Sequence, residues 1–183
     1  YYQVTKANYS TVTGNAIVNI SKAAGSIAYS TVSIGKTFGD GAFTNALTNT
    51  GDGTVTYSSS NTGVATVNSS TGEVTIVGNG TTTITATVSD GTNYTYSTKT
   101  ASYSLSVGTA QMSVSASGYT GTYDGSAHGI SVSAPEGSTV KYGTSEGSYT
   151  LDASPTYTDA GSYTVYYQVT KANYSTVTGN AIV

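Results

Sequence analysis

Residues 57–88 read YSSSNTGVATVNSSTGEVTIVGNGTTTITATV. Within this stretch Ile84, Ala86 and Val88 alternate with Thr83, Thr85 and Thr87, the period-two pattern of a strand with one buried face. Val74 and Ile76 form a second short alternation, and Val64 and Val67 a third. The segments are separated by Asn61-Thr62-Gly63, Thr71-Gly72 and Gly78-Asn79-Gly80. Gly and Asn favour turns because they accept left-handed backbone and bond locally. The same rhythm extends outward in both directions. Val55 and Tyr57 lie before the stretch, and Tyr103, Leu105 and Val107 form a last strand after it. Gly39-Asp40-Gly41, Gly51-Asp52-Gly53 and Asp90-Gly91 add further turns. Short alternating strands with turn signals every ~8–12 residues predict a β-sandwich, which we bound at residues 27–108.

The hallmarks in this run are Ser59-Ser60-Asn61, Val64-Ala65-Thr66-Val67, Gly72-Glu73-Val74-Thr75, then Gly78 and Gly80 before the Thr/Ile/Ala alternation. On these residues the domain resembles the bacterial immunoglobulin-like group 2 (Big2) family. The resemblance implies a small sandwich found in tandem in bacterial surface proteins, notably adhesins of the intimin and invasin kind, with no catalytic residues.

A second domain follows over residues 109–183. Met112, Val114 and Ala116 alternate, Ile130, Val132 and Ala134 mark the next strand, and Val140 with Tyr142 the one after. From Asp159-Ala160-Gly161 a long strand carries Tyr163, Val165, Tyr167 and Val169 on one face, and Ser175 to Val183 forms the closing strand. Tyr123-Asp124-Gly125 with His128, the run Thr158 to Val165, and Lys171-Ala172-Asn173-Tyr174 resemble, in order, the MBG/YDG-type repeats of large bacterial surface proteins. That resemblance implies another sandwich-like module in a tandem array.

The final text of this domain occurs twice. Residues 1–18 and residues 166–183 both read YYQVTKANYSTVTGNAIV, at an offset of 166 − 1 = 165 residues. We therefore expect an all-β chain of two tandem immunoglobulin-like β-sandwich domains within a longer array of 165-residue period. Residues 1–22 would be the closing strands of a preceding MBG-type unit, and residues 23–26, the end of SKAAGS, a linker. The first copy is expected to make two strands, the second placing Val12, Gly14, Ala16, Val18 and Ile20 on one face. Two isolated strands are marginal in water. Tyr2, Val4, Val12, Ala16 and Val18 are thus the candidate packing residues, to be covered by a neighbouring repeat or an identical chain.

Composition narrows the partners. Charged residues are 8% of the chain, net charge is −3, and Cys and Trp are absent. An acidic surface gains nothing from counterion release, which argues against nucleic acid and against membrane contact by this segment. No apolar run approaches the ~18 residues of a spanning helix. Without Cys there is neither a disulfide framework nor a thiolate metal site.

No catalytic, cofactor or metal site is expected. His128 is the only histidine, without the partners a zinc site or a triad requires, and reads as a turn or strand residue. Asp40, Asp52, Asp90 and Asp124 each precede Gly. Calcium wants 6–8 oxygens at close quarters, whereas Asp-Gly is a common tight-turn pair, so turn chemistry is the plainer reading. Lys6, Lys22, Lys36, Lys99, Lys141 and Lys171 with Asn, or Thr with Gln3, Gln111 and Gln168, could enter isopeptide or ester crosslinks, although such a bond needs a buried acid and Glu73, Glu136 and Glu146 all sit near Gly-rich turns. Tyr57, Tyr103, Tyr163 and Tyr167 share parity with core aliphatics. Tyr9, Tyr94, Tyr119, Tyr166 and Tyr174 are freer and could stack on sugars, but sequence alone gathers them on no one surface.

These readings lead to an extracellular segment of a bacterial cell-surface adhesin-like protein, a stalk or fibre unit and not an enzyme. Two alternatives stay open: a module that binds host glycan or protein, and a filament subunit joined by strand complementation through residues 1–18.

Overall fold

A computed structural model describes residues 1–183. The chain is all-β, with seventeen strands and no helix. An outlying hairpin comes first, formed by β1 (Tyr2–Val4) and β2 (Val12–Gly14). The first sandwich contains β3 (Ala23–Tyr29), β4 (Ser33–Thr37), β5 (Phe43–Thr44), β6 (Leu47–Thr50), β7 (Val55–Ser59), β8 (Ala65–Val67), β9 (Glu73–Ile76), β10 (Gly80–Val88), β11 (Tyr94–Tyr96) and β12 (Thr100–Gly108). The second contains β13 (Ser115–Ser117), β14 (Ser131–Ser133), β15 (Thr139–Gly143), β16 (Thr164–Thr170) and β17 (Val177–Ile182).

In the first sandwich one sheet runs β4-β12-β10-β7 and faces strands ordered β11-β3-β6, with β5-β9-β8 beside them. Most pairs are antiparallel; β12 with β4 and β11 with β3 are parallel. The alternation read from sequence becomes burial. Ile84, Ala86, Val88, Leu105, Val74 and Ala65 are fully or almost fully enclosed, and their threonine and serine neighbours face outward. Tyr57, expected in the core, is half-buried, its ring lying against Gly72.

The Ser59-Ser60-Asn61 segment has a physical cause. Thr82, only 4% exposed, turns its hydroxyl under the turn that follows β7. The Asn61 N–H donates to Thr82 Oγ1 at 2.9 Å, and the hydroxyls of Ser59 and Ser60 lie 2.9 and 3.2 Å from it. The Ser59 hydroxyl donates onward to the Ala65 carbonyl at 2.7 Å, and Ser60 Oγ accepts from the Thr83 N–H at 2.9 Å. One threonine thereby fastens β7, β8 and β10 together.

Tyr29 and Tyr103 meet edge to face at 4.9 Å across the core. The Tyr103 hydroxyl is buried and has no hydrogen-bond partner. An unsatisfied buried hydroxyl costs ~1–3 kcal/mol, so Tyr103→Phe is expected to raise the first sandwich's melting temperature. Burial pushes the Tyr103 phenol up to about 12. An unfolded tyrosine ionises near ~10, so the unfolded chain releases this proton first as pH rises. The stability held below pH ~10 is therefore lost progressively through about 12. The Phe variant should show a shallower alkaline loss in denaturant titrations at stepped pH; an unchanged slope and a lowered midpoint would contradict both expectations.

In the second sandwich β15-β16-β17 form one antiparallel sheet and β13-β14 the other. Met112, Ile130, Val165, Tyr167 and Val169 make its core, with Val140, Tyr142 and Val177 packed around them.

Several sequence expectations need correction. Residues 23–26 are not a linker. They lie in β3, where Ala23, Ala24 and Gly25 pair with Tyr94, Thr95 and Tyr96, because small side chains suit a strand against which the Tyr96 ring packs closely. The strand expected through Val12, Gly14, Ala16, Val18 and Ile20 stops at Gly14. The closing strand near the C-terminus starts at Val177 rather than Ser175, and Tyr163 precedes β16.

Candidate functional site

The two copies of YYQVTKANYSTVTGNAIV fold alike locally and sit in different surroundings. In the second copy Tyr167 pairs with Gly179, Gln168 with Thr178 and Val169 with Val177. In the first copy Tyr2 pairs with Gly14, Gln3 with Thr13 and Val4 with Val12, the same register moved by 165 residues. Each tyrosine ring lies over the glycine opposite it: a Cβ on Gly14 or Gly179 would meet the facing hydroxyl at 2.4 Å. Only glycine leaves that space, and the ring in turn covers backbone that glycine would expose.

The turns match as well. Asn8 and Asn173 both hold φ at 67°, the left-handed conformation that Asn tolerates better than most residues. The Tyr9 N–H donates to the Lys6 carbonyl at 3.1 Å and the Tyr174 N–H to that of Lys171 at 3.1 Å. Lys6 and Lys171 place their ammonium groups 4.9 and 5.0 Å from the rings of Tyr9 and Tyr174.

What differs is cover. Tyr167 is 8% exposed and Val169 fully buried, whereas their counterparts Tyr2 and Val4 are 56% and 60% exposed. Val12 and Val18 are exposed too, at 58% and 82%, and Ala16 is exposed. Ala16 and Val18 have left the strand altogether. In the second copy Ala181 and Ile182 pair with Val165 and Thr164, whereas the pairing of the first copy ends at Gly14. The first copy also lacks a strand in the place of β15, where Val140 pairs with Val169.

The turn of the seated copy forms the junction between the sandwiches. Asn173 Oδ1 accepts from the Asn79 N–H at 3.0 Å, and the Asn173 carbonyl accepts from the Ala110 N–H at 3.0 Å. The Ser175 N–H donates to the Ala110 carbonyl at 2.9 Å, and its hydroxyl lies 2.7 Å from that of Thr109. Phe38 meets Tyr174 edge to face at 5.7 Å. The connector at residues 109–111 is thus tied to the 171–175 turn, which itself bonds the first sandwich at Asn79.

The Asp-Gly residues act in loops. Asp52 accepts from the N–H groups of Asn93 and Tyr94 at 2.8 and 3.2 Å, and these bonds, that of Asn93 foremost, hold its carboxyl below the usual range. Asp90 is held low by Lys99, with which it forms an ion pair, and by the Tyr96 N–H at 2.8 Å. Asp40 accepts from the Thr37 N–H at 3.0 Å. Asp124 is held low by the Ser126 N–H at 2.8 Å and then by His128, whose Nε2 lies 3.1 Å away. No three acidic or imidazole groups gather in one place. No lysine ammonium bonds an Asn or Gln side chain; those of Lys22, Lys99, Lys141 and Lys171 go to Gly91 O, Asp90, Asp152 and Glu136 O.

One gathering of side chains was not legible in the sequence. Tyr119 stacks on His128 with ring centroids 3.5 Å apart and planes 5° from parallel. Tyr157 stacks on Tyr163 at 4.0 Å and 5°. Two backbone hydrogen bonds join His128 to Tyr157, two join Tyr163 to Val183, and one runs from the Tyr119 N–H to the Ile182 carbonyl. These links close a circuit around a cleft of about 390 Å³. It sits at the end of β16 and β17 opposite the Asn173 turn. The available signal was Gly121 and Gly161, whose missing Cβ atoms leave room for the rings of Tyr119 and Tyr163.

Comparison with known proteins bears on the first sandwich. Residues 42–92 match the family described as intimin, immunoglobulin-like domain. No curated protein matches the chain in sequence. Among solved structures, Drosophila N-cadherin EC1-3 is 10% identical, with 85% of this chain and 66% of that one covered and a TM-score of 0.32. The protocadherin GammaB4 extracellular domain is 11% identical over 86% of this chain and 34% of its own, with a TM-score of 0.35. Sidekick-1 immunoglobulin domains 1–5 are 11% identical over 86% and 40%, with a TM-score of 0.27. The chain spans less than two thirds of the length of each of these structures. Residues 42–92 are therefore similar to an adhesin-type immunoglobulin-like domain, an extracellular domain type, set within an all-β chain.

Proposed function

We propose that the chain is a structural, extracellular repeat segment of a bacterial cell-surface adhesin-like protein, a stalk or fibre unit in which a Big2-like and an MBG/YDG-type sandwich alternate. The observation that supports this best is the doubled hairpin. One 18-residue text keeps one register and one left-handed turn in two places, closing a sandwich in one and standing open in the other. Neighbouring repeats of the same protein are the partners, and no catalysis, cofactor or metal is assigned. The tied junction suits the role. A connector hydrogen-bonded to a turn that also bonds the other sandwich restrains bending, and modules that contact chiefly their neighbours build extended molecules.

The proposal is tested by extending the chain upstream, placing a copy of residues 19–165 directly before Tyr1. The amides of Tyr2 and Val4 should then gain hydrogen-exchange protection equal to that of Tyr167 and Val169, and X-ray scattering should show an elongated monomer. Continued rapid exchange at Tyr2 and Val4 would refute the repeat reading. A second reading, strand complementation between identical chains, draws on the same exposed face of Tyr2, Val4 and Val12. It would be favoured if the unextended chain formed concentration-dependent oligomers with those amides protected.

A further inference from the structure

The aromatic cleft has no part in that proposal. We propose that it is a binding site for a neutral pyranose sugar. Its volume, about 390 Å³, falls in the ~300–1,000 Å³ range of small-molecule sites. Its wall divides into two kinds of surface. The stacked pairs Tyr119–His128 and Tyr157–Tyr163 are each parallel to within 5°, and the exposed Tyr123 stands at the rim. Aromatic rings present apolar faces with polar edges, which suits the C–H face of a pyranose. Around them stand the Asp124 and Asp159 carboxylates and the hydroxyls of Thr120, Thr158 and Ser162. An ionised carboxylate accepts through two oxygens, and hydroxyls both donate and accept, the groups a polyol requires.

Charge excludes the nearest rivals. No Lys or Arg lines the cleft, and its one imidazole, His128, already pairs with Asp124, so a phosphorylated, sulfated or carboxylated ligand would meet the Asp159 carboxylate with no free cation to bind. A quaternary ammonium needs ring faces converging on it from several sides; here the rings lie as two parallel stacks with Tyr123 at the rim. A calcium ion would need a denser set of oxygens than two aspartates in separate loops provide.

Because Trp is absent, intrinsic fluorescence comes from the protein's 17 tyrosines, of which Tyr119, Tyr123, Tyr157 and Tyr163 line the cleft. The 183-residue protein is titrated with the methyl glycosides of glucose, galactose, mannose and N-acetylglucosamine, and with choline, while saturation-transfer NMR identifies the bound face. At least one glycoside should bind, with transfer strongest from its C–H face. Two substitutions at exposed rim positions, Tyr123→Ala and Asp159→Asn, should leave the thermal melt unchanged and each weaken binding about 5-fold, the scale of one aromatic or hydrogen-bond contact. Absence of transfer from all four glycosides, affinity unmoved by both substitutions, or binding of choline in preference to sugar would each overturn the assignment.

Discussion

Val169→Asp should unfold the second sandwich, while Val4→Asp, the same change at the same place in the same 18-residue text, should leave the protein's stability almost untouched. Val169 is fully buried, with Val140 beside it on β15 and Val177 on β17. An aspartate there is either ionised without a partner or protonated at the expense of its normal pKa. Stranding a buried charge costs ~3–5 kcal/mol, much of the ~5–15 kcal/mol that holds a domain together. Val4 is 60% exposed, and exposed substitutions away from special features stay within about ±0.5 kcal/mol. Methyl and amide NMR spectra with a thermal melt separate the outcomes. The first variant should lose the dispersed signals of residues 109–183 and keep those of the first sandwich; equal damage from both changes would show that the hairpin is packed in a way the fold does not contain. In the upstream-extended chain the asymmetry should vanish, because Val4 would then occupy a seat like that of Val169.

Thr82→Val, a change of one hydroxyl for one methyl, should destabilise the first sandwich by about 2–4 kcal/mol. Val is close to Thr in shape, so little is lost in packing. What is lost is the acceptor for the Asn61 N–H and the hub for the hydroxyls of Ser59 and Ser60. Each buried polar group left without a partner costs ~1–3 kcal/mol, and a network half satisfied is worse than none. Urea denaturation followed by tyrosine near-ultraviolet circular dichroism reads the midpoint. Thr82→Ser, which keeps the hydroxyl and removes a methyl, should recover most of the loss. A serine variant as weak as the valine one would shift the explanation from hydrogen bonding to packing.

The parts of this molecule that obey period two were readable in advance. The threonine alternation of β10 places Ile84, Ala86 and Val88 inward because successive strand side chains point to opposite faces, and Leu105 and Val107 follow the same rule on β12. The reading failed where partners rather than pattern decide. Residues 23–26 resemble a linker by composition, yet β11 makes them a strand. Residues 15–18 carry a strand pattern, yet they pair with no strand, and β2 ends at Gly14. Sequence also named Tyr119 as free and Tyr163 as core. Only the return of β17 between them brings both, with Tyr157 and His128, to one cleft, and no spacing rule encodes that long-range closure.

The order in which the second sandwich is assembled has a kinetic consequence. Its closing hairpin is the last part to be synthesised, so the body formed by residues 109–163 stays unclosed while the following 20 residues (183 − 163) are added. At ~5–20 residues per second that interval is about 1–4 s, far longer than the ~1–10 μs in which a hairpin forms. Throughout it an identical text, residues 1–18, is already present on the same chain. The late copy wins because it is covalently continuous with the body at Thr164, so that closing it spans a short loop and the early copy would span a whole domain. Proximity along the chain, rather than any difference in side chains, selects between two equal competitors.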